Sequence, residues 1–448
     1  MTLASVPRYD PDAAARVGDH AVVVGGSVAG LLAARVLADA FDRVTVVDRD
    51  AFPDDPVARD GVPQARQPHV LLEAGRATLE DLFPGYGEDV VAAGGLMLDW
   101  TTDLVHYERG GFLASGASPE TLYAASRPLF EHAIRARVAA RDDVTLEGDC
   151  AFLGYRADGD RIAGVDVRRG DGARASVDAD LVVDATGRAS KTPRWLADNG
   201  YPTPPEDTVD VDVTYATTVV ERPTDDRRVL FSPPTPPRTR GGGAFPVEGD
   251  RWLVTMQGVH GDDPPTDRDG FVEFADSLPV PQVARVLREQ AWVTDDIASY
   301  PFPSNRRRRY ETLDDFPEGL LVVGDAVASF NPVYGQGMSV AALEAVCLHR
   351  ALADGGRENL AARFFDRATA AVDPAWLLAT SSDLARPQTD GSLALHERAF
   401  DRYVARLVER AHDDGVLATA YGRVLTMERS PTSLLRPRLA ARTLLPSR

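Results

Sequence analysis

The chain has 448 residues, 44% of them hydrophobic, and a formal charge of -19 at neutral pH. That length suits two or three domains with sizeable cores and excludes a disordered chain. The acidic balance argues against nucleic acid or an anionic membrane surface as a partner, since both would repel it. Lys191 is the single lysine, so almost all basic charge is arginine. Cys150 and Cys347 are too few for a disulfide framework, which points to a reducing, cytoplasmic setting. No run reaches the roughly 18 apolar residues that a membrane span needs, and no basic start precedes an apolar core near the N-terminus.

Residues 1–19 read as a polar extension. The pattern then sharpens, and residues 20–24 predict a strand, Gly25-Gly26-Ser27-Val28-Ala29-Gly30 a glycine-rich turn, residues 31–40 a helix, and residues 44–48 a second strand ending in Asp48. This is the pattern of a dinucleotide-binding βαβ unit. Its glycines let a pyrophosphate approach the helix N-terminus, and an acid about 20 residues further on bonds a ribose hydroxyl. Ser27 stands where the second glycine is usual, so its hydroxyl either bonds a phosphate or loosens the grip on the cofactor. Asp48 does not suit a 2′-phosphate, and the expected dinucleotide is FAD or NAD rather than NADP.

Residues 95–113 alternate as strands of an inserted sheet. Arg127-Pro128 opens a helix with Ser126 as its N-cap. Residues 144–153 and 161–167 predict strands around an Asp158-Gly159-Asp160 turn, and residues 179–190 return to the core sheet. From about 193 to 300, proline-rich turns separate alternating runs such as 209–220 and 252–259. They predict an antiparallel sheet, one face of which can roof a ligand pocket. Arg306 to Arg309 are expected at a solvated or internally paired edge, and the chain beyond 355 is mostly helical.

Leu320 to Val323 form an unbroken apolar run, the pattern of a parallel strand covered on both faces, which puts Asp325 at the strand's C-terminal edge. Gly335 and Gly337 bring bare backbone close to whatever lies above the sheet. The helix that follows, Met338 to about Ala353, points its positive end at the same place. An electron-rich ring would be favoured there.

Gly324-Asp325-Ala326 followed by Asn331-Pro332-Val333-Tyr334-Gly335-Gln336-Gly337-Met338 closely resembles the second flavin-binding motif of the group A FAD-dependent monooxygenases, the family with the para-hydroxybenzoate hydroxylase fold. Within it the chain is most similar to squalene-epoxidase-like and polyether epoxidase-type flavoproteins, over roughly residues 20–390. The resemblance implies that Asp325 bonds the ribityl chain and that Pro332, Gly335, Gly337 and Met338 lie beside the flavin ring. It further implies Gly25, Ser27, Val28, Ala29 and Gly30 at the pyrophosphate, Arg49, Arg59 and Arg66 along the adenosine and pyrophosphate, and Arg127 reaching the flavin. Residues 61–72 resemble a segment of the epoxidase-like subfamily, with Ala65 and Gln67 departing from it; His69 there is a candidate proton donor or a packed, capping residue. Thr186-Gly187 stands where the usual hydroxylases carry the Asp-Gly pair linked to FAD and nicotinamide handling.

The expected architecture is α/β. A Rossmann-like FAD-binding domain (20–75, 115–192 and 300–355) carries an inserted antiparallel-sheet substrate domain (76–114 and 193–299) and a helical C-terminal region (356–448). The implied activity is insertion of one oxygen atom from dioxygen into an apolar unsaturated substrate, as epoxidation or hydroxylation, through a flavin hydroperoxide. FAD is held non-covalently, no metal is expected, and electrons come from NAD(P)H or from a separate flavin reductase, an electron-donor protein. No acid-base residue is assigned, because the flavin supplies the hard chemistry. Two other readings remain open at this point. One is a reductase of isoprenoid double bonds resembling geranylgeranyl reductases, of whose Tyr-x-Trp-x-Phe-Pro signature only the end survives in Gly243 to Pro246. The other is a flavin-binding protein without turnover. A flavin halogenase is disfavoured by the lack of a Trp-x-Trp-x-Ile-Pro signature.

Overall fold

In the computed structural model the predicted βαβ unit is the centre of a parallel sheet. Residues 2–117, 121–391 and 394–445 are described. The parts of the expected 115–192 and 356–448 regions that fall on residues 118–120, 392–393 and 446–448 lie outside them.

In chain order the elements that build the site are β1 (Gly18–Val24), α1 (Val28–Leu37), β2 (Phe41–Val47), β3 (Leu104–Glu108), α2 (Arg127–Ala139), β4 (Val144–Glu147) and β5 (Leu181–Asp184). Then come β6 (Glu206–Glu221), β7 (Val229–Ser232), β8 (Arg240–Val247), β9 (Arg251–Val259), β10 (Ala298–Arg308), β11 (Leu320–Val322) and α3 (Gly337–Ala353). Four helices follow: α4 (Leu360–Leu384), α5 (Leu395–Arg410), α6 (Gly415–Leu425) and α7 (Pro437–Leu444).

The parallel sheet runs β11-β5-β1-β2-β4, every pair parallel. Its apolar strands are buried on both faces, as continuous valine and leucine runs require. Ala21, Val23, Val44 and Val46 face α1 and α3, while Val22, Val24, Val47 and Leu320 face a three-stranded meander containing Ile162, Val165 and Val167. Helix α1 begins at Val28, three residues before the apolar periodicity predicts, because the last residues of the glycine motif already form its first turn. Gly25 sits at φ +107, a conformation that disfavours any side chain, and a Cβ on Gly30 would stand 1.8 Å from the Gly25 carbonyl oxygen. The bare residue at 30 is what lets the helix close on the turn.

Strands β10, β6, β9, β8, β7 and β3 form most of an eight-stranded sheet, antiparallel except for the β7–β3 pair. Side chains alternate across it with the period of two that strands impose. Ala216, Val220, Trp252, Val254 and Met256 pack under two helices through Phe271, Phe274, Val283 and Leu287. Val213, Tyr215, Thr255, Gln257 and Val259 point the other way and line a cavity. Residues 95–113, expected as one inserted sheet, divide instead between two. Leu96–Asp99 pairs with Thr121–Ala124, Asp99 caps a single helical turn by accepting from the Thr101 amide at 2.9 Å, and β3 continues into the large sheet.

Arg306 to Arg309 form the internally paired edge that was expected. Arg307, buried, pairs with Asp373 at 2.5 Å and Glu311 at 3.0 Å. Arg308, also buried, pairs with Glu206 at 3.1 Å and donates to the Ala326 carbonyl at 2.8 Å, which fastens β10 to the turn after β11. Cys347 is a buried hydrophobe of α3, its thiol pushed up to about 12 by burial.

Glu344 is the one acid of α3, buried beneath the Gly324 turn, whose amide donates to its Oε2 at 2.7 Å. Burial pushes this carboxyl up from an ordinary 4.5 to about 7; the Gly324 bond opposes the rise and Asp325 adds to it. A carboxyl raised in the folded state binds more protons there than in the unfolded chain between pH 4.5 and 7, so its contribution to stability is lost as pH rises through that window. Glu344→Gln keeps the acceptor for Gly324 and removes the titration. Its stability relative to wild type is expected to improve by roughly 3 kcal/mol between pH 5 and pH 8, read by denaturant unfolding at the two pH values. A constant difference would show that Glu344 is ionised to the same degree in both states.

Candidate functional site

The glycine turn, Asp48, Arg59 and α2 meet at the C-terminal edge of the parallel sheet. Asp48 Oδ2 accepts from the Gly26 amide at 2.6 Å, closing the turn, and lies 3.2 Å from Arg59 Nη1. Arg59 is buried, donates through Nη2 to the Gly26 carbonyl at 2.9 Å, and stacks over Phe52 at 5.4 Å. Its main partner is Glu131 of α2, reached at 2.7 Å. Glu131 is buried too, and its Oε2 takes the Ser27 hydroxyl at 2.8 Å and Arg127 at 3.0 Å. Burial alone would raise the Glu131 carboxyl; Arg127, Arg59 and Ser27 outweigh it and hold the group below the usual range. Ser27, in the second glycine's place, is thus a bridge from the turn to α2, which also accepts from Arg127 Nη2 at 2.8 Å.

Ser126 caps α2 as predicted, accepting from the Leu129 amide at 3.2 Å. The other two arginines are not drawn to the turn. Arg66 is 65% exposed and pairs with Asp296 at 3.2 Å, and Arg49 is exposed beside Asp50 at 3.8 Å. His69 donates from Nδ1 to the Gln67 carbonyl at 2.8 Å; burial, with Arg127 nearby, lowers it to about 4. It is a neutral ring at neutral pH, not an imidazolium donor.

Asp325 follows β11 and opens to solvent at the same edge, though it is set deep among protein atoms. That setting raises its carboxyl, with Arg127 and Arg188 acting in the opposite sense. Arg188 was not singled out in the sequence. It is anchored to the Ser304 carbonyl and hydroxyl at 2.7 Å each, over the Phe302 ring. Asn331 starts the next loop, and its side chain is fully engaged. It donates to Asp383 of α4 at 3.2 Å and accepts from Tyr215 at 2.5 Å, while its amide donates to Asn305 at 2.6 Å. Burial pushes Asp383 up to about 6, against its Asn305 and Asn331 hydrogen bonds and Arg386.

Pro332, Val333, Tyr334 and Gly335 of this loop line the cavity under the large sheet, about 200 Å³ in volume. Its walls are apolar, with Leu104, Phe231 and Phe245 from the sheet, Leu378 from α4, Val404 from α5 and Leu425 from α6. Polar groups interrupt these walls, among them Gln257, Asp383, Arg386 and Glu108. Glu108 accepts from Tyr421 at 3.1 Å and lies 3.3 Å from His106 Nε2. Burial would raise the Glu108 carboxyl; His106, Arg109 and Tyr421 lower it below the ordinary range. Glu108, Glu131, Asp383, Arg386 and Tyr421 were not found from sequence. Each also meets partners across long chain separations: Glu131 with Ser27 and Arg59, Glu108 with Tyr421, Asp383 with Asn305 and Asn331, and Arg386 with the Arg238 carbonyl.

Three features fit a flavin dinucleotide at this edge. A Cβ on Gly337 would meet nothing within 4 Å, so the protein itself has no steric need of glycine there, and the space before α3 is open to a planar group. Arg127 Nη1 is buried without a hydrogen-bond partner, and so are both polar atoms of the Gln336 side chain, next to Gly337. A glycine turn, a terminal acid and a second glycine loop opening a helix at one sheet edge define a dinucleotide-binding flavoprotein.

The FAD binding domain family matches residues 19–375, and the chain belongs to this family of FAD-dependent oxidoreductases. It is 37% identical over 388 residues to protein Rv3254 of Mycobacterium tuberculosis, covering 82% of this chain and 81% of that one. Among solved structures it shares its fold with the flavin-dependent brominase Bmp2, at TM-score 0.65 and 16% identity over 92% of this chain and 94% of that one. It also shares it with p-nitrophenol 4-monooxygenase PnpA of Pseudomonas putida, at TM-score 0.63 and 17% identity over 92% and 100% of the two chains. No described helix is long and apolar enough to cross a membrane, and no described group of acids, histidines and cysteines could hold a metal.

Glu131 neutralises Arg127 and, together with Asp48 and Asp50, Arg59 where water does not reach, so Glu131→Ala leaves the buried Arg127 guanidinium without a counter-charge and Arg59 with a weaker one. The expected loss is roughly 3–5 kcal/mol of unfolding free energy, measured by denaturant titration. A loss below about 1 kcal/mol, the range of exposed pairs, would show that the network is solvated.

Proposed function

We propose that the protein is an FAD-dependent monooxygenase that inserts one oxygen atom into an apolar, unsaturated substrate, as epoxidation or hydroxylation. The observation that carries this reading is a shared loop. Pro332 to Gly335 line the apolar cavity, and Gly337, two residues on, opens α3 beside Asp325. A substrate in the cavity therefore lies against the loop that would flank the flavin ring. When bound, reduced FAD supplies the activation of dioxygen.

The chain's own work is binding, orientation and exclusion of water. Gly25 to Gly30 and the α1 N-terminus would hold the pyrophosphate, Asp48 the ribose, Asp325 the ribityl chain, and Pro332, Gly335, Gly337 and Met338 the ring edge. Arg59 serves this arrangement through Glu131 and the Gly26 carbonyl, while Arg127 offers its free Nη1. The apolar walls keep the target carbon dry and oriented, as transfer of a reactive oxygen requires. Glu108, anionic and hydrogen-bonded, gives a substrate bearing one donor group a fixed end to bind. Electrons would come from NAD(P)H or a separate flavin reductase.

Two measurements test this. Asp325→Ala removes a charge-assisted acceptor worth roughly 1.5–3 kcal/mol, so FAD affinity should fall about 10- to 150-fold with the fold intact; equal affinity by fluorescence titration would move Asp325 out of the site. Holoprotein given a reductant, labelled dioxygen and a cell extract should yield a product one labelled oxygen heavier by mass spectrometry. Product without label, or product that gains two hydrogens under anaerobic conditions, would replace the monooxygenase with the double-bond reductase.

A further inference from the structure

The α7 surface differs in kind from the rest of the molecule. In a chain of charge -19, residues 429–445 hold Arg429, Arg436, Arg438 and Arg442 and no acidic residue. Leu435, in the turn before the helix, Leu444, its last residue, and Leu445, just after it, are 49%, 53% and 60% exposed. Arg436 and Arg438 are exposed, and their guanidinium groups make no hydrogen bond or ion pair among the described residues; Arg442 pairs with Asp414 at 2.7 Å.

The leucines are held outward by the packing beneath them. Leu434 and Thr443 are buried on the inner side, Leu434 against Leu407 and Leu417 of α5 and α6. Tyr403 donates to the Leu434 carbonyl at 2.7 Å, and Arg406 donates to the Thr443 and Leu444 carbonyls at 3.0 Å each, satisfying the end of α7. The helix cannot roll its apolar side under without breaking these bonds.

We propose that this face docks on an anionic lipid surface, its arginines at the headgroups and Leu435, Leu444 and Leu445 in the acyl boundary. Exposed leucines at both ends of a short helix that also carries exposed arginines match what an interfacial segment needs. The overall negative charge does not forbid this, because charges more than about a Debye length, roughly 10 Å, from the contact are screened. A second copy of the chain is the poorer occupant, since a two-fold contact would set the same arginines of both copies against each other. The position adds a purpose that rests on the proposed function. Helix α5, on which α7 packs, also lines the cavity with Phe400 and Val404, so an apolar substrate dissolved in lipid would lie one helix layer from its pocket.

The test is co-sedimentation of the holoprotein with phosphatidylglycerol and with phosphatidylcholine vesicles at low and high salt. Binding is expected to phosphatidylglycerol and to weaken with salt. Arg436→Glu with Arg438→Glu should weaken it by roughly ten-fold or more, and so should Leu435→Ser with Leu444→Ser and Leu445→Ser, with bound FAD and circular dichroism unchanged. No binding, equal binding to phosphatidylcholine, or unaffected variants would overturn the proposal. So would a concentration-dependent dimer that the leucine variants abolish, which would assign the face to a second copy. The assay reads no turnover, so its failure leaves the oxygenase reading standing, and a failed oxygenase test leaves lipid binding untouched.

Discussion

One carboxylate holds the cofactor end of the molecule together. Glu131 lies in a place that water does not reach, and three arginines, Arg59, Arg127 and Arg135, come within 4 Å of it. A buried acid surrounded in this way is worth little as net stability, since desolvation consumes much of the attraction. Its value is positional. Glu131 ties the turn after β1 through Ser27, the loop containing Arg59, and the first turns of α2, three segments far apart in the chain that must meet at one sheet edge. Without it the arginines would repel one another, and the turn would lose the contact that fixes its height above the sheet.

How far this could be read from the sequence depends on the range of each constraint. The βαβ unit was legible because its demands are local: a glycine that tolerates φ +107, a glycine that admits a carbonyl 1.8 Å from where a Cβ would be, and an acid within reach of the turn amide. The start of α1 was misplaced by three residues because the glycine motif hides the first helical turn from an apolar count. The alternation of β6 and β9 predicted a sheet with one free face, and the structure puts the helices under Ala216, Val254 and Met256 and the cavity under Val213, Tyr215 and Val259. The division of residues 95–113 between two sheets was not legible, since which partner a short strand finds is decided by chain far away.

Ser27 shows why a motif residue cannot be assigned from its place alone. Two roles were open for it, a phosphate contact and a loosened grip, and the structure adds a third by bonding the side chain to Glu131 and Arg127. A glycine there would leave Glu131 one donor short. The four consecutive arginines from 306 show the opposite case, where the plain expectation of internal pairing holds. Each meets an acid, and Arg308 also clamps a carbonyl of the Gly324 turn, so a run that resembles a polyanion site in sequence is a strut between the two sheets.

Charge must therefore be read at the scale on which it acts. Summed over the chain it is strongly negative, and the same sum conceals a buried positive cluster around Glu131 and an exposed positive strip on α7. The first is matched internally apart from Arg127 Nη1, which leaves donor capacity where an anionic cofactor would lie. The second is matched at Arg442 and, ahead of the helix, at Arg429, which pairs with Glu428. The cavity has mostly apolar walls broken by polar groups such as Gln257, Asp383, Arg386 and Glu108, and helix α5 separates it from α7 by one helix layer. The C-terminal helices thus act on both of their faces. Their inner side chains line the cavity beside the loop at Gly335, and their outer ones carry the face proposed to meet lipid.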